Sequence, residues 1–95
     1  MPWKNPSLFK FDFGHIARHA PSAGGVYGIF SDAGWVYFGE TADLQRRLGE
    51  HLIDAKHCIH RYSPLHFSYE ITMDRSLRCH ELVLEFAPPC NLGLP

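Results

Sequence analysis

The spacing of apolar residues changes partway through the first half of the chain, and this change predicts two strands followed by a helix. Residues 25–30 and 35–38 are apolar and aromatic, and the four residues between them favour a turn, so they predict a β-hairpin. After Gly39 the apolar residues recur every three or four positions, as in a helix, with Thr41 or Asp43 as the N-cap. The recurring residues are Leu44, Leu48, Leu52 and Ala55.

The second half of the chain predicts a third strand and a second helix. Residues 65–72 alternate between apolar and polar, which is typical of a strand with one buried face. Asp74 is suited to cap the helix that follows, and Pro88 ends it. Leu77, Glu81 and Leu84 share one face of this helix. A carboxylate among apolar neighbours pairs with a cation, binds a metal, or indicates that another face is buried.

The N-terminal residues predict an extended arm over residues 1–10 and a short helix over residues 11–20, which Pro21 ends. Their aromatic residues are expected to pack on the sheet; these are Trp3, Phe9, Phe11 and Phe13. The predicted fold is a single α/β domain. Its core, residues 25–95, is a small three-stranded antiparallel sheet flanked by helices in the order β-β-α-β-α, and residues 1–24 are the arm and helix packed against it.

The charge balance argues against DNA binding through bulk electrostatics. The formal net charge is -1 and the pI about 6.6, whereas tight nonspecific DNA binding needs many basic residues. A nucleic-acid role therefore requires a local patch. The aperiodic segment 54–64 is the basic and aromatic stretch that could supply it, although an ordinary solvated connection is the alternative. The candidate contacts are Lys56, His57, His60, Arg61 and Tyr62.

Three cysteines, an odd number, favour a reduced intracellular protein over a disulfide framework. No apolar stretch has the length of a signal peptide or a membrane span, so we expect a cytoplasmic protein without membrane contact. A zinc site is an alternative use of the cysteines and histidines, but their spacing matches no standard zinc motif. Its ligands would come from His57, Cys58, His60, Cys79, His80 and Cys90.

Four polar residues are predicted to face one place. Tyr27 and Tyr37 each lie in the middle of a predicted strand. On the helix, at about 100° per residue, Arg47 and His51 lie on one flank of the apolar stripe, and Arg46 points to solvent with Glu50. Taken singly, such tyrosines are more often half-buried strand residues, and such an arginine and histidine a solvated helix edge. Their joint order indicates a functional site.

The order of these residues resembles that of the GIY-YIG nuclease family. The two motifs of that family correspond to residues 25–27, Gly-Val-Tyr, and residues 37–39, Tyr-Phe-Gly. Arg47 and His51 follow in the register of the family's helix-borne arginine and histidine, and Glu81 and Asn91 match its later glutamate and asparagine. The interval from Glu81 to the prolines is about half a helical turn shorter than the family pattern. This leaves Glu85 as an alternative acid.

The resemblance implies metal-dependent hydrolysis of DNA phosphodiesters. Glu81 would hold a magnesium or manganese ion, and Arg47 would stabilise the charge of the transition state. Tyr27 would orient or deprotonate the attacking water with help from His51, and Tyr37 and Asn91 would position the site. DNA is the implied partner, with a second protein as a possible source of targeting. The alternative is a catalytically inactive module of the same fold that binds nucleic acid or protein.

Overall fold

The computed structural model describes residues 7–32 and 34–91. Along this part of the chain the order of elements follows the prediction, with one additional short strand and a 3₁₀ helix. They are β1 (Phe9–Lys10), α1 (Phe13–His19), β2 (Gly25–Ser31), β3 (Gly34–Thr41), α2 (Leu44–Ile53), a 3₁₀ helix (Cys58–Tyr62), β4 (His66–Ile71) and α3 (Arg75–Phe86).

The sheet has four antiparallel strands in the order β1-β4-β2-β3, so the prediction of three strands was wrong. The additional strand comes from the predicted arm, where Phe9 pairs with Phe67 of β4. A two-residue strand has too little sequence to show a period of its own, and it exists because β4 offers a free edge. β2 lies at the centre, with Tyr27 opposite Gly39 on one side and Tyr69 on the other.

The hairpin and the helix after it agree with the sequence prediction. β2 and β3 pair from Gly25 opposite Thr41 to Ser31 opposite Gly34, with a register shift between Ile29 and Phe30. Gly34 has a φ of 114°, a backbone conformation that a residue without Cβ adopts readily. Asp43 is the N-cap of α2, and its side chain accepts a hydrogen bond from the backbone N of Arg46 at 3.1 Å.

Each face of the sheet carries a hydrophobic core. The larger core includes the buried residues Tyr27, Ile29, Leu44, Leu48, Ile59 and Phe67 on the side of α1 and α2. Phe11, Ile16 and Ala20 belong to the same core, so this part of the segment before β2 packs with the residues of the sheet. Phe13 is 59% exposed, contrary to the expectation for the aromatic residues, and Trp3 lies outside the described residues.

The second core lies under α3 and corrects the predicted face of that helix. It contains Val26, Phe38 and Leu82, with Cys79, Val83 and Phe86 packed against them. Leu77 is 61% and Leu84 70% exposed, so the face they share with Glu81 is turned to solvent. The sequence contains two stripes at helical spacing, and the helix buries the one that ends in the large aromatic Phe86.

Cys58 and Cys90 form a disulfide, with a Cα–Cα distance of 5.7 Å, so the expectation of three reduced cysteines was wrong. The bond joins the 3₁₀ helix, which replaces the predicted irregular loop, to the turn after α3. Cys79 is a free cysteine. Within residues 7–32 and 34–91 no group of three or more metal-binding side chains is placed to hold an ion, which removes the zinc alternative there. No helix in that part of the chain is long and apolar enough to cross a membrane.

Candidate active site around β3

Tyr27 and His51 form a hydrogen-bonded pair inside the larger core. β2 places the Tyr27 side chain on the face of the sheet that α2 covers. His51 lies one turn after Arg47 on α2, and its ring meets the Tyr27 side chain there. The Tyr27 hydroxyl and His51 Nε2 are 2.6 Å apart. Tyr27 is 1% exposed and His51 fully buried, so neither side chain can touch a macromolecular ligand directly.

Two further aromatic rings close over this pair. Tyr37 lies edge-on to both His51 and His57, with centroid distances of 5.6 and 4.9 Å, and the His51 and His57 rings are 4.5 Å apart. His60 donates its Nε2 proton to the backbone carbonyl of His51 at 2.7 Å, since that oxygen can only accept. His57 and His60 therefore help to bury His51, a structural role that the sequence did not indicate.

Arg47 supplies the positive charge at the outer side of the cluster. Its side chain is 40% exposed, and its Nη1 donates to Glu50 Oε1 at 3.1 Å. Arg46 is 77% exposed and contacts the other oxygen of the same carboxylate at 3.3 Å. The predicted separation of the two arginines is therefore found, but Glu50 bridges them, and this carboxylate was not singled out from the sequence.

Burial sets the protonation states of the cluster. It raises the pKa of Tyr27 far above its usual range, and the nearby Tyr37 adds to this, while the Arg47 charge opposes it. Burial also raises the pKa of Tyr37. It lowers the pKa of His51 to about 3, reinforced by the positive charges of Arg47 and His57. At neutral pH both phenols keep their protons and His51 is uncharged.

The backbone of β3 is held in place next to the two tyrosines. A Cβ on Gly39 would collide with the hydroxyl end of Tyr27, so the glycine is what allows that phenol to lie against the strand. Asn91 binds both backbone groups of Phe38 at the outer edge of β3: its Oδ1 accepts from Phe38 N at 2.7 Å, and its Nδ2 donates to Phe38 O at 2.9 Å. Asn91 thus fixes β3 between Tyr37 and Gly39.

α3 turns Cys79, and not Glu81, toward this region. The Cys79 thiol approaches Phe38 O at 3.7 Å, and the negative charge of its thiolate form would raise the pKa of both Tyr27 and Tyr37. Burial, and then the charge of Glu40, raises its pKa. Glu81 lies two residues further on, about 160° around the helix from Cys79. Its carboxylate is 41% exposed and accepts from Arg78 Nη1 at 3.3 Å.

Glu85, the alternative acid, is also exposed and lies about 120° around α3 from Cys79. Of the six residues singled out as catalytic, the structure thus groups Tyr27, Tyr37, Arg47, His51 and Asn91 on or against β3 and leaves Glu81 apart. The signal for Cys79 was present in the sequence, because Cys79, Leu82, Val83 and Phe86 also have helical spacing.

The proposed nucleic-acid contacts divide into two groups. Lys56, Arg61 and Tyr62 are exposed and remain available to a ligand. His57 and His60 are partly buried, and their rings or ring nitrogens contact Tyr37 and His51, as described above. The basic stretch therefore has an inner side that covers the site and an outer side that faces solvent.

A model of the GIY-YIG catalytic domain matches residues 23–79, which is more than half of the chain. This chain belongs to the GIY-YIG family. No curated protein matches the sequence. The matched segment contains both tyrosines, Arg47 and His51, and it ends at Cys79. GIY-YIG domains are nucleases, so the family relationship assigns this chain to a nuclease fold.

Solved structures show the same fold. The magnesium-bound GIY-YIG N-terminal endonuclease domain of UvrC from Thermotoga maritima superposes with a TM-score of 0.70 at 20% identity, over 81% of this chain and 96% of that one. A point mutant of the same domain in which an asparagine is replaced by alanine, also bound to its catalytic divalent cation, gives a TM-score of 0.68 at 19% identity, over 79% of this chain and 92% of that one. At this identity the agreement concerns the fold.

Proposed function

We propose that this GIY-YIG domain binds the phosphodiester backbone of DNA at the surface formed by Arg47 and Tyr37. The observation that supports this most directly is the placement of Arg47, a permanent positive charge that is partly exposed beside the tyrosines. A guanidinium can bind two phosphate oxygens at once, and the contact of Arg47 with Glu50 uses one of its nitrogens, while a second side-chain hydrogen bond joins it to Tyr27. The relation to nucleases makes a nucleic-acid backbone the appropriate anion.

Tyr37 and the buried pair have different roles in this proposal. Tyr37 is half-buried and keeps its proton, so its hydroxyl acts as a hydrogen-bond donor to a phosphate oxygen. Tyr27 and His51 are positioning residues, because burial prevents contact with DNA. The high pKa of Tyr27 also makes this phenol a poor base at neutral pH. Additional exposed positive charge comes from Lys56 and Arg61, which lie in the segment between α2 and β4.

The residues present do not fit the magnesium ion that the family relationship implies. A hard cation of this kind is held by carboxylate oxygens and water. Glu81 points to the other side of α3 and pairs with Arg78, and Glu85 is turned away as well. We therefore derive no catalytic step through a metal, and we place binding of the DNA backbone, without cleavage, first.

Metal-dependent DNA endonuclease activity is the second candidate. It is favoured by the family match and by the grouping of five of the predicted residues along β3. Three of the Thermotoga maritima point mutants replace a tyrosine by phenylalanine, and two of those tyrosines are ten residues apart, the same interval as Tyr27 and Tyr37 here. In this candidate Glu81 would hold magnesium or manganese, and a partner protein would direct the domain to its substrate.

A comparison of adjacent arginines tests the proposal. Arg47→Ala should weaken binding to duplex, nicked and branched DNA about tenfold to a hundredfold at low salt, since hydrogen bonds to charged groups contribute about 1.5–3 kcal/mol. Arg46→Ala is the matched control, because it removes the same charge and the same partner, Glu50, one residue away. Fluorescence anisotropy measures both affinities. Equal losses for the two variants would show that the surface is only a diffuse basic patch.

The same samples distinguish the two candidates. Incubation with supercoiled plasmid and either magnesium or manganese ions should leave the plasmid intact. Nicking by the wild type that disappears in Glu81→Ala would establish the endonuclease and reject binding without cleavage. Circular dichroism of each variant verifies that the fold is unchanged.

A further inference from the structure

We propose that Cys79 lies at the place on α3 from which a carboxylate would reach Tyr27 and Tyr37. This domain would then bind a divalent cation such as Mn²⁺ only when Cys79 is replaced by glutamate or aspartate. The proposal uses the proposed function only to define the site. The helix face of α3 that packs against β3 carries no carboxylate, because Glu81 and Glu85 lie on other sides of the helix.

The first step is the geometry of α3 against β3. Cys79, Leu82 and Phe86 lie on one face of the helix, and Leu82 is fully buried against Val26 and Phe38. This packing fixes the rotation of the helix. A rotation large enough to bring Glu81 over β3 would expose Leu82, and burial of a leucine side chain contributes about 1.5–3 kcal/mol. Glu81 is therefore held away from the site.

The second step is the convergence on one carbonyl. Phe38 O accepts from Asn91 Nδ2 at 2.9 Å and is approached by the Cys79 thiol at 3.7 Å. This oxygen lies in the strand between Tyr37 and Gly39, and Gly39 is where the Tyr27 hydroxyl rests. The Cys79 side chain thus lies at the same short segment of β3 as both phenols and Asn91.

The third step is ligand chemistry. A thiol is a soft ligand suited to zinc or copper, whereas magnesium and manganese prefer carboxylate and water oxygens. A partly buried glutamate at residue 79 extends two bonds further than cysteine and ends in two such oxygens. Cys79→Glu should therefore place an oxygen ligand where the wild type has a thiol, without any change in Tyr27, Tyr37 or Arg47.

Manganese binding in the absence of DNA tests this directly. Free Mn²⁺ measured by electron paramagnetic resonance should be unchanged by wild type and by Glu81→Gln, and should fall with Cys79→Glu, which we expect to bind at least about tenfold more tightly than wild type. His80→Glu is the matched control, because it adds the same carboxylate to α3 at an exposed neighbouring position. Cys79→Asp provides a shorter acid if the longer one unfolds the domain.

Two results would overturn the proposal. One is Mn²⁺ binding by the wild type that Glu81→Gln abolishes, because Glu81 would then be the ligand. The other is a folded acidic variant at residue 79 that binds Mn²⁺ no better than His80→Glu. Neither result depends on DNA binding, so failure of this proposal and failure of the Arg47 surface are distinguishable.

Discussion

His51 links the helix of the site to its two strands. It hydrogen-bonds Tyr27 on β2, its ring lies edge-on to Tyr37 on β3, and it lies one turn from Arg47 on α2. Its Nδ1 has no hydrogen-bond partner among the described residues, and its pKa is lowered to about 3, chiefly by burial. A histidine in this state is neutral throughout the physiological range. It holds Tyr27 in place through their hydrogen bond and carries no charge near pH 7.

This buried histidine should make the folded state sensitive to acid. The folded pKa of His51 lies below the ordinary value of 6.5, so the unfolded chain takes up a proton that the native chain refuses. The stability that comes from neutral His51 is fully present above about pH 6.5. As the pH falls toward 3, the free energy of unfolding decreases by up to about 1.4 kcal/mol per pH unit. Urea unfolding at a series of pH values between about 7.5 and about 4.5 measures it.

His51→Gln should flatten this dependence, leaving the smaller part that comes from His57, whose pKa burial also lowers. His80→Gln, which removes an exposed histidine, should keep the wild-type slope. If wild type and His51→Gln lose stability in parallel as the pH falls, the histidine is not held neutral in the fold.

At the scale of elements, β3 organises the site, because Tyr37 projects from it and Gly39 receives the phenol of Tyr27. Gly39→Ala should displace that rigid ring, break the contact with His51 and destabilise the domain by about 1–3 kcal/mol or more. Gly49→Ala in α2 is the contrasting change. Its Cβ would meet only Phe13 at 4.0 Å, and alanine is favoured over glycine within a helix by about 1 kcal/mol.

Thermal unfolding of the two glycine variants should therefore show shifts of opposite sign. The melting temperature of Gly39→Ala should fall, and that of Gly49→Ala should rise. A Gly39→Ala protein as stable as the wild type would mean that Tyr27 has room to move, and that the close contact is not required.

Elements with strong local patterns were predictable, and the rotation of α3 was not. The hairpin and α2 follow from residues adjacent in sequence, including the turn ending at Gly34 and the cap at Asp43. α3 carries two apolar stripes, and local spacing does not choose between them. The choice depends on the shape of the sheet, where Gly28 leaves room for the rings of Trp35 and Phe38, onto which Phe86 packs.

The same limit explains the partial success at the site. The relative positions of Tyr27, Tyr37, Arg47 and His51 depend on one hairpin and the helix that follows it, so their grouping was predictable from a continuous stretch of sequence. Glu81 depended on the orientation of α3 and was assigned to the wrong face. The burial of Tyr27 and His51 was also missed, because the 3₁₀ helix that covers them showed no periodicity.

For the whole molecule, the Cys58–Cys90 disulfide is the long-range link that sequence counting did not reveal. It closes a loop with a sequence separation of 32, for which restriction of the unfolded chain predicts a stabilisation of about 3–4 kcal/mol. The three cysteines consist of one bonded pair and free Cys79, so their odd number did not exclude a bridge. Spacing alone could not identify which two meet.

Reductant should therefore lower the stability of the wild-type domain by about that amount in urea unfolding experiments. The double variant Cys58→Ser/Cys90→Ser should be less stable and insensitive to reductant, whereas Cys79→Ser should keep the wild-type response. Thiol titration of the denatured, unreduced protein should give one free thiol per chain, which identifies Cys79. Three free thiols would contradict the bridge.

The turn after α3 has an effect on how copies of this protein behave together. β3 is the outer strand of the sheet, and its outward amide and carbonyl groups would otherwise be open to pairing with a strand of another molecule. Cys90 N donates to Val36 O at 2.9 Å, and the Asn91 amide occupies both groups of Phe38. Two residues at the end of the described chain thus protect this border from self-association, and removal of residues 90–95 would leave it ready to form aggregates.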